Sequence, residues 1–375
     1  MSLKNLFAGR WGVIITGIAV GVLAPILVKL GNPGNMGICV ACFSRDIAGA
    51  LGLHRAAAVQ YIRPEIPGMV LGALVAALVT GEWRARGGSS PLVRYIMGVI
   101  AAIGALVFLG CPWRAFLRLG GGDWNAAVGI LGFVAGIWAG TFFLRRGYSL
   151  GKSRPMAPVM GWIMPAAMVG LLVLLLAAPL FGRDADGNPV GPIFFSTTGP
   201  GAQHAAWWIS LLAALVIGFL GQRSRFCSVG AFRNLIMLRD GKLFSGVVAL
   251  VVAAAVTNLA LGQFHPGFAG QPIAHTDGLW NFMGMLLSGL AFTLGGGCPG
   301  RQLFLSGEGD TDAAIFIFGL LTGTALAHNF NLASSAAGPS PYGPAAVLIG
   351  LAIVVIFGFT LRDVAEGEER RRSAA

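Results

Sequence analysis

The sequence predicts an all-α polytopic membrane protein, built as an inverted repeat of two five-span halves with short re-entrant half-helices. Three observations indicate this fold: the composition, ten apolar windows, and a duplication of cysteine motifs. Of the 375 residues, 55% are hydrophobic and only 11% are charged, whereas soluble domains carry about 25% charged residues. The mean hydropathy is +0.75. This composition excludes an ordinary soluble domain.

The charge balance is basic, with 26 Lys and Arg against 15 Asp and Glu and a net charge of +11. Only a few of these cations are lysines, so the charge does not indicate a nucleic-acid-binding surface, and no nucleic-acid partner is expected. The five cysteines lack the spacing of a secreted disulfide framework. Their pattern favours a role in site chemistry over cross-linking.

Ten apolar windows, nearly free of charge, are candidate membrane spans, because the hydrocarbon core requires about 20 helical residues to cross. The windows are 11–30, 68–83, 95–110, 125–144, 158–181, 205–221, 243–262, 279–297, 313–330 and 344–361.

Lysine and arginine in the short connections predict the orientation, because cytoplasmic loops carry the excess. The connection 145–154 contains four of them, whereas 263–278 and 331–343 contain none. The first is therefore predicted to be cytoplasmic and the other two external, in a bacterial cytoplasmic (inner) membrane. The expected organisation is a cytoplasmic N-terminus at 1–10, a first repeat at 11–181, an external loop at 182–204, a second inverted repeat at 205–361 and a cytoplasmic tail at 362–375.

Two cysteine motifs occur twice along the chain. Gly-Cys-Pro-x-Arg stands at 110–114 and again 187 residues later, at 297–301. A cysteine followed six residues later by arginine occurs as Cys39 with Arg45 and, 188 residues later, as Cys227 with Arg233. Each copy contains five predicted spans, and an odd number of spans forces the second copy to run through the membrane in the opposite sense. Inverted repeats are common in transporters, with the substrate site near the midplane.

The Cys-Pro pairs predict short half-helices, because proline is favoured at the first helical position and the cysteine then becomes the N-cap. Free backbone N–H groups at such a terminus attract anions. The sequence therefore predicts a small-anion path along the repeated cysteines Cys39, Cys111, Cys227 and Cys298. The arginines that follow them, Arg45, Arg114, Arg233 and Arg301, are the candidate anion-binding residues. Membrane-interface positions are favoured for Arg55, Arg63, Arg223 and Arg239.

Other candidate chemistry is weaker. Cys39 and Cys42 form a CxxC pair, but the repeat aligns Cys42 with Gly230, and no second CxxC or nearby histidine completes a zinc site. The five histidines are interpreted as loop or interface residues. No catalytic group, metal or cofactor is predicted, and no Asp or Glu lies in the middle of a span, so a carboxylate proton relay is not expected.

These motifs resemble the YeeE/YedE membrane proteins, a sulfur transport family whose characterised activity is thiosulfate uptake. The resemblance covers about residues 11–361 and implies an hourglass of inverted repeats in which cysteines pass thiosulfate along by transient S–H···S contacts. Those cysteines would be Cys39, Cys111 and Cys298, with Cys227 as the fourth symmetry-related position. The segment 34–43, with its extra Cys42, is similar to the YedE branch of proposed selenium transporters.

Three functions follow as hypotheses. The leading one is a permease, and not an enzyme, that imports a small sulfur- or selenium-containing inorganic compound, either a thiosulfate-like anion or a selenium species. An alternative is a membrane thiol-disulfide oxidoreductase that uses Cys39 and Cys42. The third is a membrane docking scaffold for a cytosolic TusA-like sulfur or selenium carrier protein, which could coexist with transport.

Overall fold

The computed structural model describes Phe7 and residues 9–177 and 193–362. Three segments discussed above therefore lie partly or almost wholly outside the described residues: the N-terminus 1–10, the loop 182–204 and the tail 362–375. The last residues of the predicted span 158–181 lie outside them as well.

The described residues are almost entirely helical. The helices of the first half are α1 (Arg10–Lys29), α2 (Val40–Ala50), α3 (Glu65–Val79), α4 (Pro91–Phe108), α5 (Pro112–Gly120), α6 (Asn125–Arg145) and α7 (Pro158–Ala177). Those of the second half are α8 (Trp207–Ser224), α9 (Ser228–Leu238), α10 (Lys242–Ala260), α11 (Gly278–Leu294), α12 (Pro299–Gly307), α13 (Thr311–Asn329) and α14 (Gly343–Thr360). Two short strands, β1 (Arg86–Gly87) and β2 (Arg154–Pro155), pair antiparallel, and a 3-10 turn covers Pro200–Ala202.

The fold is that of a multi-pass helical membrane protein, as predicted. Nine helical segments in the described part of the chain are long and apolar enough to cross a membrane. The window 68–83 differs: its helix, α3, has 15 residues and ends at Val79, so it is shorter than a full crossing. The chain turns at Gly81, whose φ of 67° lies in the left-handed region that glycine tolerates.

The helices of the two halves correspond one to one. Both α2 and α9 have 11 residues, and both α5 and α12 have 9. The main packing partners also correspond, because α1 packs on α10 as α3 packs on α8, and α4 packs on α13 as α6 packs on α11. Each half is thus held mainly against the other half. The opposite orientation of the two halves in the membrane stays a prediction.

Glycines allow these long helices to approach closely. A side chain at Gly132 or Gly136 of α6 would collide with backbone carbonyls of α11, and one at Gly289 of α11 would collide with the backbone of α6. Gly98 of α4 and Gly319 of α13 make the same reciprocal contact. Small residues at membrane helix interfaces have this function.

Burial places three of the half-helices, α2, α5 and α12, at the centre, whereas α9 is buried only in its first turn. Every residue of α2 is buried, and so are eight of the nine residues of α5. The long peripheral helices instead expose large apolar side chains, such as Trp138, Val252 and Ile356. An apolar exterior around a buried centre of broken helices is the arrangement expected in lipid, where irregular backbone must be surrounded by protein.

Candidate functional site

Each half-helix begins at a cysteine. Cys39, Cys111, Cys227 and Cys298 are the N-cap residues of α2, α5, α9 and α12. The Cys39 sulfur accepts a hydrogen bond from the Cys42 N–H at 3.3 Å, and the Cys227 sulfur accepts one from the Gly230 N–H at 3.3 Å. The Cys-Pro motif therefore predicts the start of its half-helices correctly.

Three thiols gather where α2 and α5 begin, and we call Cys39, Cys42 and Cys111 the first thiol cluster. The backbone N–H of Cys111 donates to the Cys39 sulfur at 3.5 Å, and the Cys39 thiol is close enough to interact with those of Cys42 and Cys111. All three are free thiols without solvent exposure. The CxxC cysteine that has no counterpart in the second half is thus part of the same cluster.

The second thiol cluster consists of Cys227 and Cys298, whose thiols are close enough to interact. Cys298 is wholly buried and Cys227 is 8% exposed. The Cys298 sulfur also accepts a hydrogen bond from the Arg301 N–H at 3.4 Å. All four repeated cysteines therefore lie in buried clusters, two from each half.

A cavity of about 190 Å³ lies beside the first thiol cluster. The loop that leads into α2 contributes Asn35 and Gly37 to its wall, and α5 contributes Leu117. Its polar lining comes mainly from Asn258, Gln263, His265 and Gln271. The sequence analysis did not identify these uncharged residues, because single amides in a connection give no local signal.

Arg114 lies behind this cavity and is wholly buried. Its guanidinium donates to the backbone oxygens of Asn35 at 2.9 Å, Ile273 at 3.0 Å and Leu109, and to the Cys42 sulfur at 3.4 Å. Within residues 9–177 and 193–362, no carboxylate forms an ion pair with it. Arg114 is therefore a buried cation, held by carbonyl dipoles, that contacts the cavity-lining residue Asn35 and the Cys42 thiol of the first cluster.

Arg45 has a different environment from Arg114. It forms an ion pair with Asp46 at 2.7 Å, and the other Asp46 oxygen pairs with Arg63 at 2.7 Å. The interface position expected for Arg63 is wrong: its side chain is wholly buried. The reason is that Asp46 lies inside a buried half-helix and requires cationic partners.

The two remaining candidate arginines lie near the second thiol cluster. Arg301 pairs with Glu308 at 3.2 Å, and the same carboxylate pairs with Arg225 at 2.9 Å and Arg86 at 3.3 Å. Arg233 is partly buried and donates to the Asn234 side-chain oxygen. Arg225 also pairs with Glu82, as does Arg223, and Arg86 pairs with Asp310. In this ion-pair network four arginines face three carboxylates, so one positive charge remains.

Aromatic side chains occupy the space between the clusters. The Trp113 ring lies 5.6 Å from that of Phe226 and 5.9 Å from that of Phe304, measured between centroids. Trp113 follows Cys111 by two residues, and Phe226 immediately precedes Cys227. The sequence analysis quoted Trp113 only as the variable residue of the Gly-Cys-Pro-x-Arg motif.

Comparison with known proteins gives consistent matches. The family described as "Sulphur transport" matches residues 223–361. The thiosulfate transporter TsuA of Escherichia coli K12 is 29% identical over 112 residues, which cover 29% of this chain and 30% of that protein. The thiosulfate transporter TsuA of Spirochaeta thermophila is 29% identical over 120 residues, which cover 30% of this chain and 34% of that protein.

The chain therefore matches about a third of the length of these curated relatives. The names of the family and of both relatives are those of transporters and not of enzymes, as the sequence analysis expected. The family match includes the second thiol cluster and the helices that follow it. These matches show that residues 223–361 are similar to the sulphur transport family and that about a third of the chain is similar to thiosulfate transporters.

Proposed function

We propose that this protein is a permease of the bacterial cytoplasmic membrane that imports a small inorganic anion containing sulfur or selenium, with thiosulfate as the first candidate. One observation carries the proposal: the thiols that cap four half-helices, from both halves of the chain, lie in two buried clusters. Since soft sulfur and selenium atoms associate with thiols, such clusters suit this class of anion better than hard ions.

The cavity beside Arg114 is the proposed first binding site. The side-chain amides of Asn258 and Gln263 each donate one N–H to a backbone carbonyl and keep a second N–H that can donate to an anion oxygen. Both N–H groups of Gln271 already bind the carbonyls of His265 and Gly267, so this residue shapes the cavity wall. The Arg114 charge is not neutralised by a carboxylate in the described residues, and it acts at short range through a medium of low dielectric constant. This combination attracts an anion to the first thiol cluster.

The thiol clusters are the proposed path from the cavity to the other side of the membrane. Each capping cysteine stands at a helix N-terminus, where the helix dipole favours negative charge. A thiol there can donate a weak S–H hydrogen bond to the terminal sulfur or selenium of the anion without a covalent step. The second cluster then delivers the anion to the positive region around Arg301 and Arg225.

The predicted topology makes this direction an import. The loop charges predict that both termini and the second thiol cluster lie on the cytoplasmic side and the cavity on the outer side. Uptake then runs from an uncharged polar cavity to an arginine-rich cytoplasmic side. A cytosolic TusA-like carrier is the proposed acceptor of the imported sulfur or selenium. Binding of such a carrier should survive replacement of all five cysteines.

The experiment is uptake of labelled thiosulfate and, separately, selenite into proteoliposomes. Wild-type protein is compared with Cys111→Ser and Cys298→Ser, and with Thr141→Ser on α6 as a control away from both clusters. We expect uptake of at least one compound by the wild type and the control, and loss of uptake in both cysteine variants that elute and melt as the wild type does. Unchanged uptake in the cysteine variants would refute the thiol path.

A further inference from the structure

The indole ring of Trp113 fills the junction between the two thiol clusters. Trp113 is the second residue of α5, and no part of its side chain is exposed. Its ring packs edge-on against Phe226, the residue before Cys227. An anion that leaves the first cluster for the second must therefore pass this ring.

The position equivalent to Trp113 in the second half is Gly300, which is two residues after Cys298. A Cβ at Gly300 would lie 2.6 Å from Cζ2 of Trp113, closer than real side chains approach. The indole thus rests directly on the backbone of α12. The duplicated motif keeps tryptophan in one copy and glycine in the other, because only one large ring fits where the two half-helices meet.

At two further pairs of equivalent positions, the first half has an aliphatic residue and the second half has phenylalanine. Leu117 lines the cavity, whereas its counterpart in the second half, Phe304, packs on Trp113. Ile38 precedes Cys39, whereas Phe226 precedes Cys227. The side of the first cluster is therefore next to open volume, and the side of the second cluster is closed by three aromatic rings.

The Trp113 indole also carries a hydrogen-bond donor without a partner. Its Nε1 is buried and makes no hydrogen bond, although buried polar groups are nearly always paired. Since the indole nitrogen can only donate, its missing partner must be an acceptor. An oxygen of a passing anion is an acceptor of the required kind, and it would reach this group only at the junction.

We propose that Trp113 is the gate between the two thiol clusters and that its indole N–H binds an oxygen of the anion in transit. This inference rests on the proposed transport function and narrows the substrate to an oxyanion of sulfur or selenium, in which a thiol-seeking atom and a terminal oxygen are both present. Rotation of the ring away from Gly300 would open the path toward the second cluster.

The gate can be tested without any transported substrate. The double variant Cys227→Ser, Cys298→Ser retains only the thiols of the first cluster. In oriented vesicles that contain this variant, a small anionic methanethiosulfonate reagent added on one face or the other reports how accessible those thiols are from each side. When the reagent is added on the face of the second cluster, we expect slow labelling of the wild type and of Trp113→Phe. We expect Trp113→Ala to be labelled at least about tenfold faster, because removal of the ring lowers the steric barrier to the reagent.

Two controls make the labelling result decisive. Labelling from the cavity face should be equal in all variants, which shows that the thiols are present in folded protein. The second control is Trp83→Ala. Trp83 also has a buried Nε1 without a partner, but its ring packs on Trp162 and not on the rings between the clusters. This variant should therefore still be labelled slowly. Equal labelling from the second-cluster face with Trp113 and Trp113→Ala would overturn the gate.

The role of the N–H is tested by uptake. Trp113→Phe keeps an aromatic ring on Gly300 but lacks the indole N–H. We therefore expect it to be labelled as slowly as the wild type from the second-cluster face, and to have a raised KM for thiosulfate. A KM equal to that of the wild type would remove the donor role. If the wild type transports neither thiosulfate nor selenite, the proposed function fails, whereas the labelling experiment still decides whether Trp113 closes the path.

Discussion

Arg63 donates to Asp46 across 2.7 Å, and both side chains are wholly buried. This pair ties the segment after α2 to the half-helix whose N-cap is Cys39. The same Asp46 pairs with Arg45, so one carboxylate holds two cations near the first thiol cluster. Although Arg45 is a candidate anion-binding residue, this geometry gives it a role in positioning α2.

Replacement of Asp46 should destabilise the protein strongly. In Asp46→Asn, two buried guanidinium groups lose their carboxylate, and breaking a buried ion pair by removal of one partner costs about 3–5 kcal/mol. Thermal unfolding in detergent measures the effect. The control is Asp240→Asn, because Asp240 is exposed and bonds only a nearby backbone N–H. Similar melting temperatures for the two variants would contradict the structural role of Asp46.

Replacement of Arg114 should weaken substrate binding. A hydrogen bond to a charged group contributes about 1.5–3 kcal/mol, so loss of the charge in Arg114→Gln should raise KM by about ten- to a hundredfold. Initial uptake rates over a range of thiosulfate concentrations give KM and the maximal rate separately. Arg239→Gln is the control, because Arg239 is exposed, forms no ion pair among the described residues and does not line the cavity. An unchanged KM in Arg114→Gln would exclude the proposed binding site.

Cys42→Ser should transport close to the wild-type rate. Cys42 lies in the first thiol cluster, but its counterpart in the second half is Gly230, and serine preserves the hydrogen bond that Arg114 donates to this side chain. If the protein were instead a thiol-disulfide oxidoreductase, Cys42 would be required to form a disulfide with Cys39, and Cys42→Ser would be inactive. The same uptake assay distinguishes the two, and an isolable Cys39 to Cys42 disulfide formed during turnover would favour the alternative.

Glu82 should stabilise the protein down to acidic pH. Burial alone would raise its pKa, but hydrogen bonds from Gln222 and Arg223 and the charge of Arg225 hold the pKa below its usual value of 4.5. The ionised carboxylate therefore contributes stability above pH 4.5, and the contribution disappears as the pH falls through the lowered pKa. The melting temperature of wild type should exceed that of Glu82→Gln at pH 7, and the difference should shrink below pH 4.5. A difference independent of pH would contradict this ion pairing.

Gly136→Leu should separate α6 from α11. A Cβ at this position collides with the Leu286 carbonyl oxygen, and overpacking typically costs about 1–3 kcal/mol, occasionally more. Gly170→Leu on α7 is the matched control, since a Cβ at Gly170 meets no atom within 4 Å. We expect a lower melting temperature only for Gly136→Leu. Equal stability of both variants would show that the α6–α11 contact can relax without cost.

Local sequence signals were sufficient for most of the helices. Each predicted window coincides with a helix, because apolar runs of this length have few alternatives in a membrane. The start of α5 and of α12 followed from the Cys-Pro dipeptide alone. The predicted window 68–83 is displaced along the chain, because α3 begins at Glu65 and ends at Val79, before Gly81 and the charged Glu82.

The distribution of arginine partners could not be predicted in the same way. The repeated motifs place Arg114 and Arg301 at the same distance after a Cys-Pro pair, and Arg45 follows the other cysteine motif. Their partners nevertheless differ. Arg45 pairs with Asp46 and Arg301 with Glu308, whereas Arg114 binds backbone carbonyls. Asp46 and Glu308 lie close in sequence to their arginines, whereas Arg114 binds carbonyls that are 79 and 159 residues away. The motif spacing therefore does not specify which arginine receives a carboxylate. Differences between the two copies, such as Trp113 against Gly300, were visible in the sequence and are the signal that could have located the junction.

The sequence by itself determined that this chain is a helical membrane protein with a duplicated cysteine motif at the start of four short helices. These properties depend on hydropathy and on the backbone preferences of proline and glycine, which act within a few residues of the chain. Only the tertiary structure decided which thiols meet, which cation lacks a carboxylate, and where the Trp113 ring rests. Those relationships join residues that are far apart in the chain, and packing between the two halves sets them.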